Sequence, residues 1–167
     1  RKKKVLSDLR VIPADVLALS KGFQGASELY RTTRGVHSAA LCDPRKILVF
    51  AEDIGRHNAV DKVLGRCLLE GIDVSDRILM TSGRISSEIL FKTAGSGIPV
   101  LISKSAPTDM GVDLARELGI TLIAYVRGGG MNVYAGEERI DIPRRPAGVE
   151  YKASAKEGYE ENSKEED

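Results

Sequence analysis

Four short apolar runs, residues 47–51, 78–81, 100–103 and 121–126, recur through the middle of the chain, and their Ile, Val and Leu content predicts buried strands. The segments between them carry a helical period instead. Val60, Val63, Leu64, Cys67 and Leu68 fall at i, i+3, i+4, i+7 and i+8, the stripe of a helix with Asn58 as expected N-cap and Gly71 as stop. Ile89, Leu90, Thr93 and Ala94 make a second stripe behind Ser86 or Ser87. Val112, Leu114, Ala115 and Leu118 make a third behind Thr108 or Asp109, closed by Gly119. Ahead of these, residues 36–41 predict a strand joined to 47–51 through the turn Cys42-Asp43-Pro44-Arg45, and residues 13–20 predict a short helix with Pro13 in its first turn. The expected fold is α/β, a mixed sheet with helices on both faces. Residues 1–30 read as a helical lead-in, 31–142 as the α/β domain and 143–167 as a polar, flexible tail without apolar periodicity.

Composition narrows the functional classes. With 42% hydrophobic residues in 167, the chain can bury a core of its own. Its 25 basic residues against 24 acids leave a net charge of +1, no field for nucleic acid or an anionic membrane, so any anion site must be local. Two cysteines, Cys42 and Cys67, make neither a disulfide framework nor a four-thiolate zinc site, and with no signal peptide or long apolar run the expected compartment is the cytoplasm. A first residue Arg1 instead of methionine reads as a piece whose start lies upstream.

Each of the four central strands runs into a polar, glycine- or serine-bearing loop: 52–58, 82–87, 104–108 and 127–132. In open α/β sheets ligands bind outside the carboxyl ends of the strands, so these loops are expected to converge on one edge. Three lead into helix N-termini, whose free N–H groups favour anions, and Arg56, Arg84 and Arg127 add forked donors. The expected ligand is phosphorylated or nucleotide-like. Glu52 and Asp53 read either as an acid/base pair or, more simply, as partners for Arg56 or Lys62. His57 beside Arg56 suits phosphate binding or proton transfer, and His37 suits a hydrogen-bonded structural role equally well. Cys67 lies on an apolar stripe, and Cys42 sits in a turn with no activating neighbour beyond Arg45, so neither reads as a nucleophile.

The runs EDIGRHNAVDKVLG (52–65), SGRISSE (82–88), SAPTDMGVDLA (105–115) and ITLIAYVRGGGMNVY (120–134) resemble the formate dehydrogenase accessory protein family, FdhD, over roughly residues 30 to 140. The resemblance implies a sulfur carrier: sulfane sulfur is taken from a cysteine desulfurase and delivered to the molybdenum or tungsten bis-pterin guanine dinucleotide cofactor of formate dehydrogenase. It further implies a three-layer α/β/α fold like that of cytidine deaminase, a homodimer, and formate dehydrogenase apoenzyme as a partner. Carried onto this chain, it places His37, Gly55, Arg56, His57 and Asn58 at the cofactor, with Ser82, Gly83 and Arg84. Ser105, Ala106, Pro107, Thr108, Arg127 and Asn132 complete that set. Arg34 departs from the family's T-G-G-V-H stretch, standing where glycine is usual. A larger departure is that the chain holds no C-x-x-C, so the persulfide cysteine is expected upstream and this stretch is expected to bind without transferring sulfur. The zinc deaminase signature is absent too, since Ser38 and Ala39 follow His37 and Thr108 follows Pro107; neither zinc nor deamination is expected. A non-catalytic chaperone that shields the cofactor is the alternative, and a nucleotide hydrolase using Glu52 or Asp53 is disfavoured without a phosphate-loop lysine or metal cluster.

Overall fold

A computed structural model of the chain describes residues 4–142. A helix α1 (Pro13–Ala26) and a six-residue α2 (Glu28–Thr33) precede the hairpin β1 (His37–Cys42) and β2 (Ile47–Asp53). The chain then alternates α3 (Arg56–Glu70), β3 (Ile78–Thr81), α4 (Ser87–Gly95), β4 (Val100–Ser103), α5 (Asp109–Leu118) and β5 (Thr121–Arg127), and continues through β6 (Gly130–Ala135) into a short 3-10 turn (Glu137–Arg139). The six strands lie in the order β2-β1-β3-β4-β5-β6. β3, β4 and β5 are parallel, as their helical crossovers require, while β1 runs antiparallel to β2 and β3, and β6 antiparallel to β5.

Two apolar clusters, one on each face, define three layers. On one face Val60, Val63, Ile89, Leu90 and Leu114 pack against Leu79, Leu101 and Leu122. On the other, Val16, Leu19 and Phe23 of α1 meet Ala40, Met80, Ile102 and Ile123. The central strands are therefore apolar on both sides, which is why they read as continuous apolar runs. The lead-in residues join the same body: Val5 N–H donates to Leu118 O at 2.8 Å, and Val11 is 1% exposed and bridged to Ile140.

The structure corrects four local expectations. Asn58 does not cap α3; the helix begins three residues earlier, behind Gly55, because Asp53 Oδ1 takes the Gly55 N–H at 2.9 Å and the Asn58 amide at 3.2 Å. Cys42 is not a turn residue but the last of β1, fully buried, with the turn made by Asp43 accepting from Arg45 and Lys46 N–H. The loop 127–132 is a tight hairpin: Gly128 and Gly129, at φ +58° and +80°, supply the two left-handed residues that turn β5 into β6. The helix expected over 13–20 extends to Ala26, followed by the unforeseen α2.

Candidate functional site

The carboxyl ends of β2, β3, β4 and β5 and the start of β1 share one edge of the sheet. There the loops after β3 and β4 run side by side. Ile85 N–H donates to Ala106 O at 3.2 Å and Thr108 N–H to Ile85 O at 3.0 Å, so the two loops extend the parallel pairing past the strands. Hydroxyls knit this edge. Ser82 Oγ accepts the Ser38 N–H at 2.9 Å and lies 3.4 Å from His37 Nδ1, while Ser105 Oγ donates to Ser82 O at 3.0 Å.

Two cavities open at the edge. The larger, about 700 Å³, lies on the α1–α2 side, with His37, Ser82, Lys104 and Ser105 on its sheet wall. Its helical wall carries Ser27, Tyr30, Arg31 and Arg34, and no carboxylate lines it. The smaller, about 630 Å³, lies among the N-termini of α3, α4 and α5, between Arg56, His57, Ser86, Glu88, Thr108 and Met110. The expected site residues thus divide. His37, Ser82 and Ser105 belong to the first cavity; Arg56, His57 and Thr108 belong to the second. Gly83 packs close to Arg56, with a Cβ there falling 2.8 Å from Arg56 Cβ. Gly55 and Asn58 build the α3 start, and Ala106 and Pro107 supply the paired loop backbone.

Besides Gly55, Asn58, Gly83, Ala106 and Pro107, three more residues expected at the ligand line neither cavity. Arg84 is exposed, Arg127 stacks over the Tyr125 ring at 5.6 Å, and Asn132 lies within β6, its amide donating to Tyr134 OH at 3.5 Å. Conversely, sequence reasoning missed Ser27, Arg31, Arg34 and Lys104 as site residues. Lys104 stood in a loop already expected at the edge, whereas Arg31 and Arg34 sit on an element with no apolar period to reveal it.

The electrostatics favour an anion in the larger cavity. Burial pushes the Lys104 ammonium below its usual value. Burial and then the Arg56 charge do the same to His37, so the imidazole is neutral at neutral pH. Glu52, the nearby carboxylate, is occupied: the Ser27 hydroxyl donates to it, and the Ser38 hydroxyl donates at 3.4 Å. Asp53 is likewise engaged, its carboxyl held down at about 2 chiefly by Lys62, 2.6 Å away, with the Gly55 N–H and the Asn58 amide adding to it. Glu52 and Asp53 thus take the linking role, with Lys62 and not Arg56 as the partner of Asp53. In the smaller cavity His57 Nδ1 meets Glu88 Oε2 at 2.6 Å, and Lys92 bridges Glu88 to Asp61 at 3.2 and 2.7 Å. Arg56 Nε, His57 Nε2 and Ser86 Oγ are buried there without partners. Among the described residues no three His, Cys, Asp or Glu side chains gather to hold a metal ion, and no helix is long and apolar enough to cross a membrane.

The FdhD/NarQ family model matches residues 1–141. Sulfur carrier protein FdhD of Bacillus subtilis (strain 168) is 50% identical over 138 residues, covering 83% of this chain and 53% of the relative. The protein of the same name from Staphylococcus aureus (strain MRSA252) is 46% identical over 138 residues, 83% of this chain and 52% of that one. The chain spans about half the length of the curated relatives it matches. Among solved structures, a protein from Desulfotalea psychrophila assigned as a formate dehydrogenase accessory protein superposes with TM-score 0.77 at 37% identity, over 83% of this chain and 60% of that one. A deaminase/reductase from Thermotoga maritima superposes with TM-score 0.53 at 16% identity, over 68% and 37% of the two chains, a likeness of fold alone and of the deaminase-like kind expected. The chain belongs to the FdhD/NarQ family.

Proposed function

We propose that this stretch is the cofactor platform of a sulfur carrier serving formate dehydrogenase, and that the sheet edge binds a guanine dinucleotide arm of the molybdenum or tungsten bis-pterin cofactor as its cargo. The observation that carries this reading is the cavity of about 700 Å³ with Arg31, Arg34 and Lys104 on its walls and no carboxylate among them. Its size is that of a small-molecule site, enough for one nucleotide arm and not for the whole bis-dinucleotide. Basic side chains around a space without acids fit a polyphosphate ligand, and the hydroxyls of Ser82 and Ser105 offer neutral hydrogen-bonding partners. This chain's residues bind and orient; the chemistry of sulfur insertion belongs to the cofactor and to a thiol other than Cys42 and Cys67, both of which are buried. A cysteine desulfurase as sulfur source, formate dehydrogenase apoenzyme as recipient and a homodimer as working unit complete the proposal. Shielding of the cofactor without sulfur transfer is the second reading, and the buried cysteines favour it for this stretch taken alone.

Titration calorimetry with GDP as a partial mimic tests the reading. Saturable binding is expected, with a rise in the thermal midpoint as GDP is added, because a ligand that binds only the folded state stabilises it. Absence of binding to GDP and to cofactor extract at millimolar concentrations would overturn it.

A further inference from the structure

We propose that Arg34 and Lys104 form a diphosphate clamp across the larger cavity, so that the ligand is held by its phosphoanhydride and not by its sugar or base. The inference rests on the reading of this cavity as a nucleotide site and assigns the part of the ligand that two cations on different walls would grip.

Arg34 is the first reason. It closes α2 at φ +55°, ψ 8°, a left-handed conformation that glycine adopts freely and other residues adopt at a cost. The backbone contact made there, Arg34 N–H to Tyr30 O at 2.9 Å, would be made equally by glycine. An arginine at such a position keeps local strain that its own backbone does not need, and strain of this kind gathers at binding sites. The side chain gains no carboxylate partner among the described residues; its guanidinium lies 5.8 Å from the Tyr30 ring centroid, and both groups line the cavity. Arg34 is exposed; Arg66 is paired with Glu70 at 2.7 Å and Arg116 with Asp113 at 3.3 Å, whereas Arg127, like Arg34, rests over a tyrosine ring.

Lys104 is the second, independent reason. It leaves the end of β4 on the sheet wall, half-buried, with no acid beside it, and burial is the one influence on its ionisation. A desolvated ammonium without a counter-charge is stabilised when an anion enters. Of the acids in the neighbourhood, Glu28 pairs with Arg31 at 4.0 Å, and Glu52, which keeps its charge while accepting from the hydroxyls of Ser27 and Ser38, lies outside the cavity lining. His37 adds no charge at neutral pH. Two unpaired cations on different walls match a group whose several negative charges are spread over linked phosphates, and Arg34's forked donors suit phosphate oxygens.

The test titrates guanosine, inorganic pyrophosphate and GDP into the chain and into its Arg34→Gly and Lys104→Met variants. In the parent chain pyrophosphate is expected to compete with GDP and guanosine to bind far more weakly than either. Arg34→Gly should keep or raise the thermal midpoint, because glycine relieves the left-handed strain, while weakening GDP and pyrophosphate about tenfold or more. Lys104→Met should weaken both by a similar factor, and Lys104→Arg, which keeps the charge, should restore most of the affinity; if the methionine variant does not fold, an arginine variant that binds as weakly as Arg34→Gly counts against the clamp. Retention of parent affinity in both Arg34→Gly and Lys104→Met, with GDP still bound, would overturn the clamp and leave the nucleotide site standing. A parent chain that binds no GDP overturns both. A fall in stability that tracks the fall in affinity in Arg34→Gly would make Arg34 a structural residue and overturn its role as a jaw.

Discussion

Incubated with a cysteine desulfurase and free cysteine, the native chain is expected to acquire no persulfide on either of its cysteines. Cys42 ends β1 with no exposed surface, and burial followed by the Asp43 charge pushes its thiol up to about 12. At pH 8 the thiolate, the form that attacks sulfur, is then about one part in ten thousand, before access to the buried sulfur is counted. Cys67, 2% exposed on the inner face of α3, is also raised, chiefly by burial. Mass spectrometry after native labelling should find both thiols unmodified, and the same reaction after unfolding in urea should label both. A persulfide formed on Cys42 in the native chain and passed to the cofactor would contradict the division between a cofactor platform and a sulfur-bearing thiol supplied elsewhere.

Gly136→Ala is expected to be the most damaging single substitution away from the cavities. Gly136 follows β6 at φ +72°, and a Cβ there would fall 2.5 Å from Thr121 Oγ1 and 2.6 Å from Thr121 Cα. Neither atom can withdraw. Thr121 Oγ1 donates to Gly136 O at 2.9 Å and accepts from the buried Arg139 guanidinium at 3.3 Å, which itself donates to Gly119 O at 3.0 Å. Left-handed strain and overpacking together should cost about 2–4 kcal/mol, read as a lower urea midpoint with an unchanged slope. Thr121 begins β5, so this knot lies at the sheet edge opposite the cavities, and GDP affinity measured below the unfolding transition should be retained. The contrast with Arg34→Gly is instructive: one glycine exchange removes stability and spares binding, the other removes binding and spares stability. A Gly136→Ala chain as stable as the parent would show that the β5–β6 packing gives way more easily than these distances imply.

The three crossover helices and the strands they join were legible because each has one physical signature. Val60, Val63 and Cys67 on α3 or Ile89, Leu90 and Thr93 on α4 repeat with the helix, and β3 and β4 are apolar throughout because both faces are covered. The convergence of loops at one edge followed from topology alone. What escaped depends on tertiary placement or on turn chemistry with two readings. Gly128-Gly129-Gly130 suits a phosphate loop and a hairpin turn equally, and the edge strand β6 has only intermediate burial along most of its length. α2 has no buried residue, so no apolar stripe marks it, yet it builds the wall that brings Arg31 and Arg34 to the cavity. Of the motif arginines, Arg56 lines the smaller cavity while Arg84 and Arg127 line neither; Arg34, exposed and stacked on Tyr30, and half-buried Lys104 reach the larger cavity through the placement of α2 and the end of β4. The helix-capping error at Asn58 has the same origin, since Asp53 competes for the role through the backbone of Gly55.

A crystal structure of the chain grown with GDP would show where the nucleotide arm sits. Density for the diphosphate is expected in the larger cavity, between the end of α2 and the strand ends of β3 and β4, within hydrogen-bond distance of Arg34 and Lys104 and beside Ser82 and Ser105. Diphosphate density in the smaller cavity, held by Arg56, His57 and Ser86 at the starts of α3 and α4, would contradict this placement.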